Sequence, residues 1–312
     1  MILILCWIVF VVLDLAVSGI IRGVAGIPFK RVFLWGLLSL LLPPAAVLYG
    51  SLIERNTFKV KEIELSYTNL PEGFRGYRIV HISDIHARSF SKREKSLQRA
   101  ADKINALDPD MIAFTGDLIT MTPDELDNIS AALSGLEAKD GVFSVLGNHD
   151  YCMYSDMSQT EKQKCLEELI RKEGEMGWDL ILNEHRIIRK GQDSIAVIGV
   201  ENTSPSKHFP SRGDLNKASE GTEGMFRILL THDPMHWEAE ITGKDYPLTL
   251  SGHTHAMQVS IFGWSPSSLI FRHHKGLYTE GNQNIYVNKG LGETIFPARI
   301  GARPEITLIT LK

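Results

Sequence analysis

Residues 77–86 read YRIVHISDIH, an apolar, β-branched run that passes directly into Asp84-Ile85-His86. Such a run predicts a buried strand, so the carboxylate and the imidazole are expected just beyond its end. The same arrangement returns further along, where apolar runs precede Gly116-Asp117, Gly147-Asn148-His149-Asp150, His232 and Gly252-His253-Thr254-His255. Five strand ends that deliver Asp, Asn and His side chains predict a metal site at one edge of a sheet.

The side-chain types in these motifs suit two metal ions held side by side. Adjacent divalent cations repel each other, and a carboxylate between them reduces that repulsion. Neutral imidazoles complete the ligand shells and leave positive charge to face a phosphate. A mixed set of Asp, Asn and His favours Mn, Fe or Zn over Mg and Ca, which prefer oxygen ligands.

Taken singly, the motifs have ordinary interpretations. Gly116-Asp117 is a common turn, and His232 alone is typical of a surface histidine. Gly252-His253-Thr254-His255 fits a mononuclear site or a polar turn equally well. The indication of a dinuclear centre therefore comes from the ordered set, in which each motif follows its own strand.

Periodicity places the other elements around the motifs. Strands are predicted at Phe58–Tyr67, Tyr77–Ile82, Asp110–Thr115, Gly141–Leu146, Leu180–Leu182, Arg186–Arg189, Ser194–Val200, Phe226–Leu230, Leu248–Leu250, Asn284–Val287 and Glu305–Leu311. Helices are predicted at Ser91–Leu107, Thr122–Leu136 and Ser158–Met176, and a long excursion with at most one short helix at Thr203–Gly224. This order predicts an α/β fold with βαβ units in front, a more antiparallel sheet behind, and helices outside two stacked sheets.

The first 53 residues are nearly all apolar. Two spans, about residues 1–21 and 32–53, have the roughly 20 residues that cross a bilayer. They predict a transmembrane hairpin ahead of a catalytic domain at 54–312, the alternative being two buried core helices. Three basic residues lie on each side of the second span, so charge leaves the orientation open. The short N-terminus without basic residues favours an extracytoplasmic catalytic domain.

The net charge bears on the possible binding partners, and the positions of the cysteines bear on a possible disulfide. A net charge of −4 and the lack of a basic stripe argue against nucleic acid. Cys152 and Cys165 could pair, but their spacing leaves this open, and two free, buried thiols are the favoured interpretation. Asp14, inside the first span, is a functional acid, a residue that faces the second helix, or one that lies near a membrane interface. The sequence indicates no oligomeric state.

The ordered motifs resemble those of the calcineurin-like metallophosphoesterase superfamily and, within it, the bacterial membrane-associated phosphoesterases of the YkuE/YaeI type. The resemblance extends over about residues 58–312. The resemblance implies a four-layer α/β/β/α sandwich, whereas the expected location in the bacterial cytoplasmic (inner) membrane rests on the two apolar spans alone. The resemblance further implies a dinuclear centre with Asp84, His86 and His255 on one metal ion, Asn148, His232 and His253 on the other, and Asp117 as the bridge.

The expected reaction is hydrolysis of a phosphate ester or anhydride by an activated water. His149 is expected to act on the substrate, by a hydrogen bond to a phosphoryl oxygen or by protonating the leaving group. Two roles are open for Asp150, which either orients His149 or caps the turn. A catalytically silent, membrane-anchored metal-binding module is the non-enzymatic alternative.

The segment Ile261–Phe271 is unusually apolar for its place just after the last motif, and Arg272 and His273 follow it. An apolar loop with a basic end beside a phosphate site indicates a lipid phosphate or a lipid-linked diphosphate. Arg88 is a further candidate for a phosphate contact. The alternatives are an ordinary core strand at 261–271 and a soluble nucleotide, nucleotide-sugar or phosphoprotein substrate.

Overall fold

Two six-stranded sheets form the centre of the fold in the computed structural model, which describes residues 2–39, 41–294 and 296–312. The strands are β1 (Lys59–Leu65), β2 (Arg78–Ile82), β3 (Met111–Phe114), β4 (Val142–Ser144), β5 (Asp179–Leu180), β6 (Glu184–Lys190), β7 (Asp193–Gly199), β8 (Phe226–Leu230), β9 (Leu248–Ser251), β10 (Gly276–Glu280), β11 (Gln283–Val287) and β12 (Glu305–Leu311). The helices are α1 (Ile2–Ala25), α2 (Phe29–Ser39), α3 (Leu42–Leu52), α4 (Glu94–Asn105), α5 (Ser130–Ser134), α6 (Gln159–Glu175) and α7 (Leu215–Ser219).

The strand order places the predicted motifs at one edge of both sheets. The first sheet has the order β1-β12-β2-β3-β4-β5, and the second has the order β10-β11-β9-β8-β7-β6. Strands β2, β3, β4 and β5 run parallel, as do β7, β8, β9 and β11. The carboxyl ends of the parallel strands therefore meet on one side, where ligands bind in such sheets. Among the described strands, antiparallel pairs are the two outer hairpins of the second sheet, β10–β11 and β6–β7, and the pair β12–β2 in the first sheet.

Three apolar clusters hold the layers together. One lies between the sheets and includes Ile79, Val197 and Leu250. A second joins the outer face of the first sheet to α4, α5 and α6, and a third joins the outer face of the second sheet to α7 and the π-helical turn Trp237–Ile241. The fold is thus mixed α/β with two sheets, as predicted.

Helix α6 shows how local sequence sets an element. Ser158 accepts a hydrogen bond from the Glu161 backbone N–H, and the Glu161 carboxylate accepts from the Ser158 N–H, a reciprocal cap that starts the helix. Gly177, with φ of +81°, follows its last turn and allows the chain to leave in a left-handed conformation.

The single helix predicted at Thr122–Leu136 is wrong. The chain forms a short 3₁₀ turn at Pro123–Leu126 and then α5. The Glu125 carboxylate accepts hydrogen bonds from the backbone N–H groups of Thr120 and Met121, and the Pro123 carbonyl accepts one from Lys172. These contacts fix the segment against its neighbours and interrupt the helical pattern. The strand β10 was not predicted.

The prediction of two free thiols at Cys152 and Cys165 is also wrong, because they form a disulfide. The bond joins the turn after His149 to α6, so the motif loop is tied to a helix that packs on the first sheet. The sequence could not indicate this pairing, since it depends on the path of the chain between the two cysteines.

The N-terminal segment is helical. Within the described part of the chain, one helical stretch, Phe29–Asn56, is long and apolar enough to cross a membrane, with a mean hydropathy of 1.9; the two-span hairpin stays a prediction. Asp14 of α1 lies against Gly36 of α2, where an added Cβ would be 1.6 Å from its Oδ1, so this acid faces the neighbouring helix. The end of α3 contacts the sandwich, because Glu54 accepts hydrogen bonds from the Gly301 N–H and from Arg303.

The apolar segment Ile261–Phe271 lies on the surface and contains a 3₁₀ turn at Pro266–Leu269. Phe262 is fully exposed, and Leu269 is 78% exposed. The alternative of a core strand is therefore wrong for this segment. Its start is hydrogen-bonded to the chain just before Gly301, since the Ser260 N–H donates to the Ile300 carbonyl. The segment thus begins beside the end of α3.

Candidate metal centre

Seven His and Asp side chains converge where the parallel strands end. They form three overlapping groups whose ligand atoms lie within 4.8 Å of one another: Asp84, His86 and His255; His86, Asp117 and His149; and Asp117, His232 and His253. Strands β2, β3, β4, β8 and β9 supply them from both sheets. The structure therefore brings together all the His and Asp residues that the sequence selected as metal ligands.

The first group is centred on Asp84. The distance from its Oδ1 to His255 Nε2 is 3.2 Å, and His255 Nε2 lies 3.0 Å from His86 Nε2. Asp84 also accepts hydrogen bonds from the His253 backbone N–H, which fix the carboxylate. All three side chains are buried.

The second group is centred on His232. Its Nε2 lies 3.2 Å from Asp117 Oδ2 and 3.2 Å from His253 Nδ1. The Asn148 Oδ1 completes the group at 2.9 Å from His253 Nδ1. Asp117 Oδ2 is also 3.6 Å from His86 Nε2, so Asp117 is the residue common to both groups.

The tautomer of His232 shows that this arrangement fits a cation. Its Nδ1 is 2.7 Å from the Thr115 carbonyl, and a carbonyl only accepts, so Nδ1 carries the proton. Against burial, the charge of Asp117 raises the pKa of His232, so without a metal Nε2 takes up a second proton. In the neutral ring, the form that binds a metal, Nε2 presents a lone pair towards the Asp117 carboxylate. Buried lone pairs and carboxylate oxygens that point at one another are costly unless a positive charge lies between them. The donor set also matches borderline divalent metals.

The backbone is strained at the same residues. Asp84, His86, Asp117, His253 and His255 all have positive φ, between 44° and 72°. This left-handed region is uncommon for residues other than glycine, and such conformations cluster at functional sites. The turns aim five polar side chains into one space at the expense of backbone energy.

Glycine is required where two of these turns approach closely. A Cβ on Gly147 would lie 2.2 Å from Asp117 Oδ1, and a Cβ on Gly252 would lie 1.9 Å from Ser83 Oγ. No side chain fits at either position without moving a carboxylate or a strand end.

The buried ionisable groups of the centre have pKa values that are shifted in opposite directions. Burial raises the pKa of the Asp84 carboxyl to about 7 and lowers the pKa of His86 to about 3. Burial opposes ionisation of Asp117, but the adjacent His232 and His149 hold the pKa of its carboxyl well below the usual range. Burial likewise acts to lower the pKa of His232, yet the charge of Asp117 raises it to about 10. Asp117 is therefore the carboxylate that stays ionised.

His149 and Asp150 have separate positions. The ring of His149 lies beside that of His86, with 4.8 Å between centroids, and its Nδ1 donates to the Thr120 carbonyl at 2.8 Å. Asp150 accepts hydrogen bonds from four backbone N–H groups, those of Asp117, Leu118, Ile119 and Gly147. Of the two roles left open for Asp150, these contacts are those of a turn cap.

The three residues predicted to contact substrate are more dispersed. Arg88 is exposed and follows His86 by two residues. Arg272 pairs with Glu280 at 2.8 Å, and the buried His273 pairs with Glu238 at 2.7 Å. Their roles stay predictions, and Arg88 is the one whose side chain has no ion-pair partner among the described residues.

Several neighbours of the centre were missed from the sequence. Tyr154 accepts a hydrogen bond from Asn148 Nδ2 at 2.9 Å, and its ring lies 4.2 Å from that of His149. Phe209 and Phe271 pack edge-on against His253. No motif marks these residues, because they come from loops whose path depends on the whole fold. The one feature of the sequence that could have pointed to them is that all three are aromatic.

Comparisons with known proteins agree with this geometry. A family model described as calcineurin-like phosphoesterase matches residues 77–257. The uncharacterized metallophosphoesterase YkuE of Bacillus subtilis (strain 168) is 32% identical over 298 residues, with 91% of this chain and 97% of that protein covered. A transmembrane protein with metallophosphoesterase domain from Danio rerio is 32% identical over 287 residues, with 88% and 62% covered.

The name of a further relative states the substrate of that protein. The UDP-2,3-diacylglucosamine pyrophosphatase LpxG of Chlamydia trachomatis serovar D is 26% identical over 306 residues, with 80% of this chain and 88% of that protein covered. The matched family segment, 77–257, contains all five motifs and more than half of the chain. The prediction of a metallophosphoesterase is thereby confirmed, and the chain belongs to the calcineurin-like phosphoesterase family.

Proposed function

We propose that the protein hydrolyses a phosphate ester or anhydride at a dinuclear metal centre. The observation that carries this proposal is Asp117, an ionised carboxylate whose Oδ2 faces His86 at 3.6 Å and His232 at 3.2 Å. In this assignment Asp84, His86 and His255 would hold one divalent cation, Asn148, His232 and His253 would hold the other, and Asp117 would be shared between them. Two bound cations would supply water activation and charge neutralisation at phosphorus.

His149 is assigned to the substrate. Because its Nδ1 donates to the Thr120 carbonyl, its Nε2 can donate only when the ring is doubly protonated. In that form it gives a hydrogen bond to a phosphoryl oxygen or a proton to the leaving oxygen. The rings of His86 and Tyr154 on either side keep the imidazole in place.

The substrate class proposed is a lipid-linked phosphate or diphosphate. Phe271, at the end of the exposed apolar segment, packs against His253, with 5.5 Å between ring centroids. The start of the same segment lies beside the end of α3. A lipid tail on this surface would lead from the end of α3, where the proposed membrane anchor stops, to the metal centre. The name of the LpxG relative, a diacylglucosamine pyrophosphatase, is consistent with such a substrate.

Membrane attachment is part of the same proposal. Residues 1–53 would form the two-span anchor, and 54–312 the catalytic domain. The Cys152–Cys165 disulfide supports the extracytoplasmic side, because disulfides persist in oxidising compartments.

Substitution of Asp117 and His149 tests the chemistry. With Mn and bis(p-nitrophenyl) phosphate, we expect Asp117→Ala to lower kcat by at least about a thousandfold and His149→Ala by about a hundredfold. Asp102→Ala, an exposed carboxylate on α4, is the matched control and should keep full turnover. Unchanged turnover in metal-loaded Asp117→Ala protein would sink the proposal.

A further inference from the structure

A second charged cavity adjoins the metal centre. It measures about 440 Å³ and is lined by four cations, Arg55, Arg88, Lys92 and Arg93, with Glu293 as its carboxylate. Its size lies within the range of small-ligand pockets. The excess of positive charge points to an anionic ligand.

Two of the four cations form a fixed wall. Glu293 is buried and pairs with Arg55 at 3.1 Å and with Arg93 at 2.8 Å. Arg93 also donates to the Ser89 carbonyl and to Asn56. These ion pairs neutralise the charge of Glu293, and the contacts together hold both guanidinium groups in position, as in a preformed site.

The other two cations are free to bind. Arg88 and Lys92 are exposed, and neither side chain has an ion-pair or hydrogen-bond partner within the described part of the chain. The nearby Glu125 is occupied by backbone N–H groups, including that of Arg88. The cavity therefore offers two unpaired cations to an incoming anion.

The residues that line the cavity come from beside the centre and from beside the end of α3. Arg88 follows His86 by two residues, and Thr120, which also lines the cavity, accepts the hydrogen bond of His149. At the other end, Arg55 lies three residues beyond α3. An anion in this cavity would lie next to the group being hydrolysed, on the side that faces α3.

We propose that this cavity is a second phosphate subsite, which binds a phosphoryl group other than the one that is hydrolysed. The phosphate would come from the distal part of a diphosphate substrate or from an anionic lipid headgroup. The inference rests on the proposed function for its role in catalysis. Phosphate binding itself does not depend on turnover.

The test compares Arg88→Gln/Lys92→Gln with Arg189→Gln/Lys164→Gln, in the full chain. Both pairs are exposed, so neither change disturbs the core, and both remove two positive charges. Binding of inorganic phosphate to EDTA-treated protein, followed by 31P NMR, should weaken at least about tenfold in the first variant alone. Equal affinity in the two variants would overturn the proposal, whether or not the enzyme turns over.

Kinetics in nanodiscs then identify the source of the phosphate. If it belongs to the substrate, Arg88→Gln/Lys92→Gln raises KM for UDP-glucose about tenfold more than for bis(p-nitrophenyl) phosphate. If it belongs to a lipid, adding phosphatidylglycerol to phosphatidylcholine nanodiscs changes KM in the wild type and not in this variant. If neither effect is seen in an enzyme that hydrolyses bis(p-nitrophenyl) phosphate, the catalytic role of the cavity is refuted. Absence of turnover in the wild type contradicts the proposed function alone.

Discussion

Single atoms decide the geometry of the centre, and Gly147 is the clearest case. A Cβ there would lie 2.2 Å from Asp117 Oδ1 and 2.5 Å from its backbone N. We expect Gly147→Ala to displace the Asp117 carboxylate and lower turnover of bis(p-nitrophenyl) phosphate at least about a hundredfold, with loss of bound metal. The matched control is Gly174→Ala on α6, where an added Cβ meets no atom within 4 Å among the described residues. It should keep activity and gain about 0.5–1 kcal/mol of stability. Full activity in Gly147→Ala would contradict the close packing.

Glu173 gives the protein a pH-dependent stability. It is buried on α6, where it accepts a hydrogen bond from Ser144 at 2.6 Å, and burial together with the charge of Asp150 raises its pKa to about 8. Between the ordinary glutamate pKa of 4.5 and about 8, the folded protein keeps a proton that the unfolded chain releases. The free energy of unfolding therefore falls as pH rises through this window, by at most about 1.4 kcal/mol per unit.

The measurement is urea denaturation of Glu173→Gln between pH 5 and pH 8. The amide keeps the shape and removes the titration, so the variant should gain stability over the wild type as pH rises. Glu167→Gln, exposed on the same helix, should follow the wild-type curve. Parallel curves for Glu173→Gln and wild type would show that Glu173 is not protonated in the folded state.

The sequence alone anticipates the side chains of the centre but not what orients them. Asp84, His86, Asp117, Asn148 and the later histidines follow strands, and strand ends can be read from apolar runs. The carbonyls of Thr115 and Thr120 fix the rings of His232 and His149, and every residue has such a carbonyl. Nothing in residue type distinguishes the two that matter.

Between elements, the disulfide ties the turn after His149 to α6. It closes a loop with a separation of 13 residues, for which the loss of chain entropy in the unfolded state corresponds to about 3 kcal/mol. We expect Cys152→Ala/Cys165→Ala to lower the free energy of unfolding by about 2–4 kcal/mol, measured by urea melts with and without reductant. If reductant leaves the wild-type melt unchanged, the bond does not form in the protein.

The elements predicted correctly are those with a strong local pattern. Strands β8 and β12 have the predicted bounds, and α6 lies within one residue of its predicted bounds at each end. The segment 122–136 has good helix-start residues, yet the contacts of Glu125 and Pro123 with distant groups break it. Tertiary hydrogen bonds of this kind are outside the reach of a local pattern.

At the scale of the whole molecule, one surface combines the end of α3 with the exposed apolar segment at 261–271. We expect Phe262→Ser/Trp264→Ser to lower kcat/KM about tenfold for a lipid diphosphate in vesicles, because contact with the bilayer is lost. Hydrolysis of soluble bis(p-nitrophenyl) phosphate should change little. Leu277→Ser, an exposed apolar residue on β10, is the control. An equal loss on both substrates would assign the segment to the fold and favour a soluble substrate.

The proposed centre consists of seven side chains that would hold two metal ions, with Asp117 shared between them. The most direct measurement is the metal content of the purified full chain, by inductively coupled plasma mass spectrometry, beside turnover of bis(p-nitrophenyl) phosphate in Mn. We expect two ions per chain with turnover in the wild type, and loss of both metal and turnover in Asp117→Ala. Fewer than two ions per wild-type chain, with no turnover in added Mn, would contradict it and favour a silent metal-binding module.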